Sequence, residues 1–264
     1  HRTLLGAVLS ATSLTLSLLV AAPAHADVPD TSAQPSRIYF STQSGKIMYV
    51  TDTDSTSPVT VTTTTPGAYG VAGLAVDAGT GSIFYLGQAS DGSGYIRTTG
   101  MEAGSSSTLL LTIPNDSGFS PMGIAYDPIW HNLYWSGTFN GQAKTYVGSY
   151  SNGALTTTTS INQAMVITYD EQNQLIGSSE ASGAVAAYDP FTLEQKSTLF
   201  NHTSFLGNVI RPRDWDTYLW TQNCQLRSQA ANGSNCSGAN LYRTTVSDQA
   251  RTSLWATAAS ATAV

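Results

Sequence analysis

Residues 123–144 read GIAYDPIWHNLYWSGTFNGQAK, and they describe a folded unit in miniature. Met122–Tyr126 is apolar with small residues, which suits an inner strand buried on both faces. Asp127-Pro128 opens a turn: the carboxylate can accept backbone amides and proline fixes φ. Asn132–Ser136 is a second strand, placing Tyr134 and Trp135 on opposite faces. Asn140-Gly141 is a strong hairpin signal. Ala143–Tyr150 is then a third strand, Asn152-Gly153 a second hairpin, and Ala154–Thr159 a fourth strand.

The phrase recurs. Residues 73–85 read GLAVDAGTGSIFY, residues 166–176 VITYDEQNQLI, residues 209–220 VIRPRDWDTYLW, and residues 36–41 carry only the second half, SRIYFS. The central residues of the second halves are Tyr39, Phe84, Tyr134, Ile176 and Leu219, spaced by 45, 50, 42 and 43 residues. Such a period suits four short strands per unit, the blade of a β-propeller. Helical solenoids share the period. Here, however, the segments are short, rich in Val, Ile, Tyr and Thr, and bounded by Gly, Asn, Asp and Pro. No apolar stripe of period 3.6 interrupts them. A blade cannot bury its faces alone, so each copy must present the same apolar residues to its neighbour.

The stretch GIAYDPIWHNLYWSG resembles the YWTD propellers, the class B repeats of low-density-lipoprotein-receptor-type proteins. There a Gly-Leu/Ile-Ala-x-Asp strand and a turn precede Leu-Tyr-Trp-Thr-Asp. In this chain Ser136-Gly137 follows Trp135, and the aromatic pair is missing at residues 174–178. The resemblance implies an all-β propeller whose face receives protein ligands or supports neighbouring modules. Units beginning at Val71, Met122, Met165 and Val209, plus three strands within residues 36–64, give five blades. The tail ATAASATAV after Trp255 is expected to supply the inner strand missing from the first, which would close the ring and remove exposed sheet edges. The family normally has six blades, so a six-bladed ring of which this chain is a truncated part is the competing expectation.

Residues 1–26 read as a secretory signal peptide: Arg2, an apolar run from Leu4 to Ala22, then Ala24-His25-Ala26 at the cleavage positions. Residues 27–264 are expected to form one propeller domain, exported and monomeric. Removing Arg2 with the leader takes the 11 Lys and Arg to 10, against 17 Asp and Glu. With only 11% charged residues and no basic patch, nucleic acid and anionic membrane surfaces are not expected partners. In an oxidising compartment Cys224 and Cys236 are expected to pair as a disulfide. Four Asn-x-Ser/Thr acceptor sites, at Asn115, Asn201, Asn232 and Asn235, fall in expected loops and permit glycosylation.

Catalytic signatures are scarce. His131 and His202 lie in different repeats without ligand spacing. There is no GxSxG elbow, P-loop or dinucleotide fingerprint. Asp77, Asp127 and Asp170 recur at one place in each unit. A ring of carboxylates can hold Ca²⁺, but that place is also where an aspartate caps the turn leaving the inner strand, and capping is the expectation; no cofactor is expected, Ca²⁺ being the one alternative.

Propeller ligands usually sit at the channel mouth, on loops leading into the inner strands. Here those positions carry Tyr69, Phe119, Met122, Met165, Phe205, Asn208 and Arg211. Arg211 and Arg213 are placed either to meet an anionic ligand or to pair with Asp214 and Asp216. The leading functional reading is a secreted, non-catalytic binding propeller for a protein or glycan. The alternative is a lactonase- or sugar-dehydrogenase-like propeller enzyme. That would need an axial cation held by Glu, Asn and Asp. Asn208 and Asn162 suit such a set, whereas Glu102, Glu171, Glu180 and Glu194 fall in turns or outer loops.

Overall fold

A computed structural model describes residues 37–42, 44–51, 57–64, 70–115, 118–162, 165–170, 174–179, 184–201, 206–210, 217–222, 239–245, 247 and 251–257. All lie in the compact unit Gln34–Val264. The leader, the Cys224–Cys236 pair, His202 and residues 258–264 lie outside the described residues.

Nineteen strands are described, in five antiparallel sheets whose strand order follows the chain. The first sheet holds β1 (Arg37–Ser41), β2 (Lys46–Thr51) and β3 (Val59–Thr63). The second holds β4 (Val71–Asp77), β5 (Ser82–Gln88), β6 (Gly94–Gly100) and β7 (Ser107–Ile113). The third holds β8 (Ser120–Asp127), β9 (Asn132–Phe139), β10 (Gln142–Ser151) and β11 (Ala154–Ile161). The fourth holds β12 (Met165–Asp170), β13 (Gln174–Ser179), β14 (Ala184–Tyr188) and β15 (Gln195–Asn201). The fifth holds β16 (Leu206–Ile210), β17 (Thr217–Gln222), β18 (Ala239–Thr245) and β19 (Arg251–Thr257).

These are the expected units, and in the third sheet each strand runs two or three residues longer than the sequence indicates. The turns are the ones the sequence names. Asn140 and Gly141 have φ of 50° and 74°, and Asn152 and Gly153 have 52° and 78°, the paired positive φ of a type I′ hairpin. The tail differs. Ala256 and Thr257 finish the outer strand β19 instead of starting an inner strand, because β19 pairs with β18 as far as Thr257.

First strands lie side by side along the chain: β8 contacts both β4 and β12, and β12 contacts β16. A Cβ at Gly73 would meet Ile124 at 3.1 Å, so equivalent points of β4 and β8 are level and the approach is as close as a glycine allows. Both strands also share a bulge, between Val71 and Gly73 and between Pro121 and Gly123.

The second strands divide their side chains between two interfaces, as a period of two requires. Phe84 and Leu86 pack forward into the core shared with the third sheet, with Tyr126, Leu133 and Trp135. Ile83 and Tyr85 pack back into the core shared with the first, with Ile47, Tyr49 and Val61. One repeat later Leu133 and Trp135 face back, while Tyr134 faces forward onto Ile167, Leu175, Ala186 and Tyr188. Burying each large apolar side chain contributes about 1.5–3 kcal/mol. Aromatic contacts add geometry: the Phe84 ring lies 4.7 Å from Tyr126 and 4.8 Å, edge-on, from Tyr150.

Burial gives these interfaces a pH signature. The phenols of Tyr85, Tyr95, Tyr126 and Tyr134 are all pushed above the ordinary tyrosine value, chiefly by desolvation; nearby carboxylates (Asp77 for Tyr126, Asp127 for Tyr134) add to it. A folded-state value above the unfolded one means the folded chain holds its protons more tightly. The contribution is therefore complete below the unfolded pKa of about 10 and is lost as pH rises beyond it. Urea midpoints measured from pH 8 to 11 should be flat to about pH 10 and then fall; a midpoint that stays level to pH 11 would contradict burial of these hydroxyls.

Candidate functional site

In a four-stranded meander the turns joining strands one to two and three to four share one end, and the remaining connections share the other. Of the residues expected at the channel mouth, Phe119, Met122 and Met165 lie at the second of these ends. Tyr69, Phe205 and Arg211 lie outside the described residues. Met165 opens β12 and Asn208 lies within β16. Met122 is half-buried at the extra residue of the β8 bulge, a device that re-aims side chains. Phe119 precedes β8 and is 2% exposed. Its ring fills space left by two glycines, since a Cβ at Gly137 would stand 2.6 Å from it and one at Gly94 would overlap it. Its backbone carbonyl accepts the Gln88 amide at 2.8 Å. Phe119 thus presents its face to the core. Among the residues weighed for an axial cation, Asn162 is exposed after β11, and Glu102 pairs with Arg37 at 2.8 Å.

The other end carries the recurring aspartates. Asp77 Oδ1 accepts the amides of Gly79 and Thr80 at 3.0 and 3.3 Å, and Asp127 Oδ1 those of Ile129 and Trp130 at 2.8 and 3.1 Å. Both are buried, as is Asp170. The capping expectation therefore holds for the two turns described. The same mould appears once more between β14 and β15, where Asp189 Oδ1 accepts the amides of Phe191 and Thr192, both at 2.9 Å. Those two amides, the Thr192 bond first, hold the Asp189 carboxyl down at about 2. In all three turns the fourth residue after the aspartate has positive φ: Gly81 at 68°, His131 at 55° and Leu193 at 60°.

The β8–β9 turn departs from its sister in what it places on this frame. After Asp77 come Ala78, Gly79, Thr80 and Gly81; after Asp127 come Pro128, Ile129, Trp130 and His131. Thr80 Oγ1 donates to the second carboxylate oxygen of Asp77 at 2.5 Å. Trp130 has no hydroxyl, and Asp127 Oδ2 is buried with no hydrogen-bond partner. The Tyr134 hydroxyl is buried without a partner at full hydrogen-bond geometry too, and the neighbouring Asp127 carboxylate acts on it, helping burial to push the phenol up. His131 takes the left-handed conformation that glycine takes in the sister turn, at a cost of about 1–2 kcal/mol. A 2.7 Å hydrogen bond between its Nδ1 and the Tyr126 hydroxyl, and the Tyr150 amide donating to its carbonyl at 2.8 Å, hold it there.

These departures put apolar side chains in water. Ile129 is 51% exposed, Trp130 58% and Phe191 51%. Trp130 from the third sheet and Phe191 from the fourth meet edge to face, 5.6 Å apart at 70°. The sequence reading passed over this pair. Its available signal was the repeated Asp-Pro turn with an aromatic residue at its tip, DPIW at 127–130 and DPFT at 189–192.

No family model and no curated protein sequence matches the chain. Among solved structures it is similar to TolB from Acinetobacter baumannii (TM-score 0.58, 14% identity over 84% of this chain). It spans about half of that protein, 52% of its length. It is similar to a chain of a nidogen/laminin complex, with TM-score 0.59 and 16% identity, covering 83% of this chain and 74% of that one. It is similar also to a luciferin-regenerating enzyme, with TM-score 0.58 and 15% identity, covering 88% and 79%. At such identities the likeness concerns the fold: an all-β propeller built of four-stranded antiparallel blades.

The comparison of sister turns has a direct consequence for stability. Trp130→Thr restores the residue type that completes the cap after Asp77 and gives Asp127 Oδ2 a donor. An unsatisfied buried acceptor costs about 1–3 kcal/mol, whereas an exposed aromatic pair contributes about 0.5–1.5 kcal/mol. Denaturant unfolding should show the variant more stable by about 1 kcal/mol. A loss of that size would mean Trp130 chiefly staples the two blades.

Proposed function

We propose that this chain is an exported β-propeller that binds a ligand without catalysing a reaction on it, and that the ligand docks on the Trp130–Phe191 face. The observation that carries the reading is the β8–β9 turn. Trp130 replaces a residue that would complete the cap, leaves a buried carboxylate oxygen unsatisfied, and stands 58% exposed. A local rule broken at an exposed aromatic residue supports a place kept for function. The aromatics are also rigidly presented, on turns fixed by an aspartate cap and an adjoining proline. Pre-organised aromatic anchors lose little entropy when they bind, and Trp is over-represented among the residues that dominate interfaces.

Two further points support the reading. Of the three turn aspartates that invite a cation, Asp77 and Asp127 are each engaged with two backbone amides. The YWTD-like phrase points to propellers that receive protein ligands. Export rests on the leader-like residues 1–26 and on the Asn-, Ser- and Thr-rich composition.

The test compares binding with metal-dependent hydrolysis. Thermal unfolding of the purified protein in EDTA and then in excess Ca²⁺ should give superimposable transitions, since a ion bound only by the folded state would raise the midpoint. Lactone substrates should remain intact in both conditions. A Ca²⁺-dependent rise accompanied by lactone hydrolysis would overturn the binding reading in favour of a propeller hydrolase.

A further inference from the structure

Among the described residues the first sheet has three strands where each of the others has four. Its β1 answers to β5 and β9, the second strands of the next two sheets. Tyr39 holds the place of Phe84 and Tyr134 in the repeat, and β1 lies against β4 as β5 lies against β8 and β9 against β12. Ser41 Oγ donates to the Val71 carbonyl at 3.2 Å, tying β1 to β4. In the second and third sheets an inner strand covers the other edge of the second strand. Among the described residues β1 pairs with β2 alone. Apolar side chains mark the place on two sides. Ile38 is 58% exposed, whereas its counterparts Ile83 and Leu133 are both 0% exposed. Val76 is 42% exposed, whereas its counterpart Tyr126 is buried, sharing a core with Phe84 and Ala75 of the sheet before it. An uncovered strand edge is itself a template for another strand.

We infer that residues 261–264 of this chain, ATAV, take that place as a short inner strand antiparallel to β1. Three features select this occupant. Its sequence matches GLAV at 73–76 of β4 in ending on Ala-Val after a small residue. Its connection fits: residues 162–164 suffice to lead from β11 to β12, and residues 258–260 give the same length after β19. Its register follows that of its sisters, where the middle residue of the second strand pairs with an alanine, Phe84 with Ala75 and Tyr134 with Ala125. The same register sets Ala263 opposite Tyr39 and Val264 opposite Ile38. Opposed residues of an antiparallel pair share a face. Val264 would therefore cover Ile38, as Val76 lies opposite Ile83. Ala263 would turn to Val76, as Ala75 does to Tyr126. One strand thereby joins the fifth sheet to the first and closes the ring at five blades, whichever ligand the propeller takes.

Paired cysteines test the register. Directly opposed residues stand about 4.5–5.5 Å apart at Cα, within the disulfide range of about 4.4–6.8 Å. Mild oxidation of Ile38→Cys/Val264→Cys should join positions 38 and 264 within one molecule, and non-reducing peptide mapping separates that bond from any made by Cys224 or Cys236. Ile38→Cys/Ala258→Cys should not cross-link. Hydrogen exchange gives a second readout. Deleting residues 258–264 should speed exchange by about tenfold or more at the β1 amides that point away from β2, since an edge left open loses its protection. The β1 amides bonded to β2 should stay protected and report that the sheet is still folded. Equal cross-linking from positions 258 and 264 would overturn the inference. So would exchange in β1 that the deletion leaves unchanged. A cross-link that forms only between two molecules would also overturn it, and would give the strand to a second copy of the chain.

Discussion

The fold depends on one contact made repeatedly: in the second and third sheets the middle residue of the second strand packs onto the sheet that follows. Phe84 does so against Tyr126 and Tyr150, and Tyr134 does so in the core it shares with Ile167 and Tyr188. Tyr39 lies at the equivalent place beside the core between the first and second sheets. The residues on either side of the middle one point back to the preceding sheet. A four-stranded blade has two apolar faces and cannot cover either by itself, so the stability of each blade is lent by its neighbours. This is why the chain repeats Leu-Tyr-Trp in altered forms at intervals of 42 to 50 residues, and why it needs few charged residues to hold its shape.

The turns are a second layer built on that one. Once the strands are fixed, Asp77, Asp127 and Asp189 each hold a five-residue turn ending in a left-handed residue. The frame tolerates Gly81, His131 or Leu193 there, and glycine is the unstrained choice. The third blade uses histidine and holds it with Tyr126, a residue whose ring also packs on Phe84. The exposed aromatic face is thus mechanically continuous with the core between the second and third blades: the Tyr126 ring serves the packing and its hydroxyl serves the turn. An exposed face tied in this way to buried aromatics is held rigidly, and a rigid face loses less entropy in any docking.

Much of the architecture was legible because it is periodic. Asn140-Gly141 and Asn152-Gly153 announce their hairpins outright, and the alternation at Tyr134 and Trp135 assigns their faces correctly. The capping role of Asp77 and Asp127 also followed, since a carboxylate two residues before a free amide has an obvious partner. What did not follow was which residues stand exposed. Fold logic placed Phe119 among the residues at the channel mouth, yet Gly94 and Gly137 open a slot for its ring, and a slot made by absent side chains on two other strands is invisible in a linear pattern. Trp130 and Phe191 were missed for the opposite reason. They are 61 residues apart and become neighbours only when the β8–β9 turn of one blade meets the β14–β15 turn of the next.

A double-mutant cycle between Phe84 and Tyr126 tests most directly the claim that blade-to-blade packing governs the structure. Phe84→Ala, Tyr126→Ala and the double variant are compared with the parent by urea unfolding. Rings 4.7 Å apart in a shared core should couple by about 0.5–1.5 kcal/mol, the double variant losing less than the sum of the singles. Additive losses would mean that the second and third sheets do not rely on each other, and the account of the repeat would fail with them.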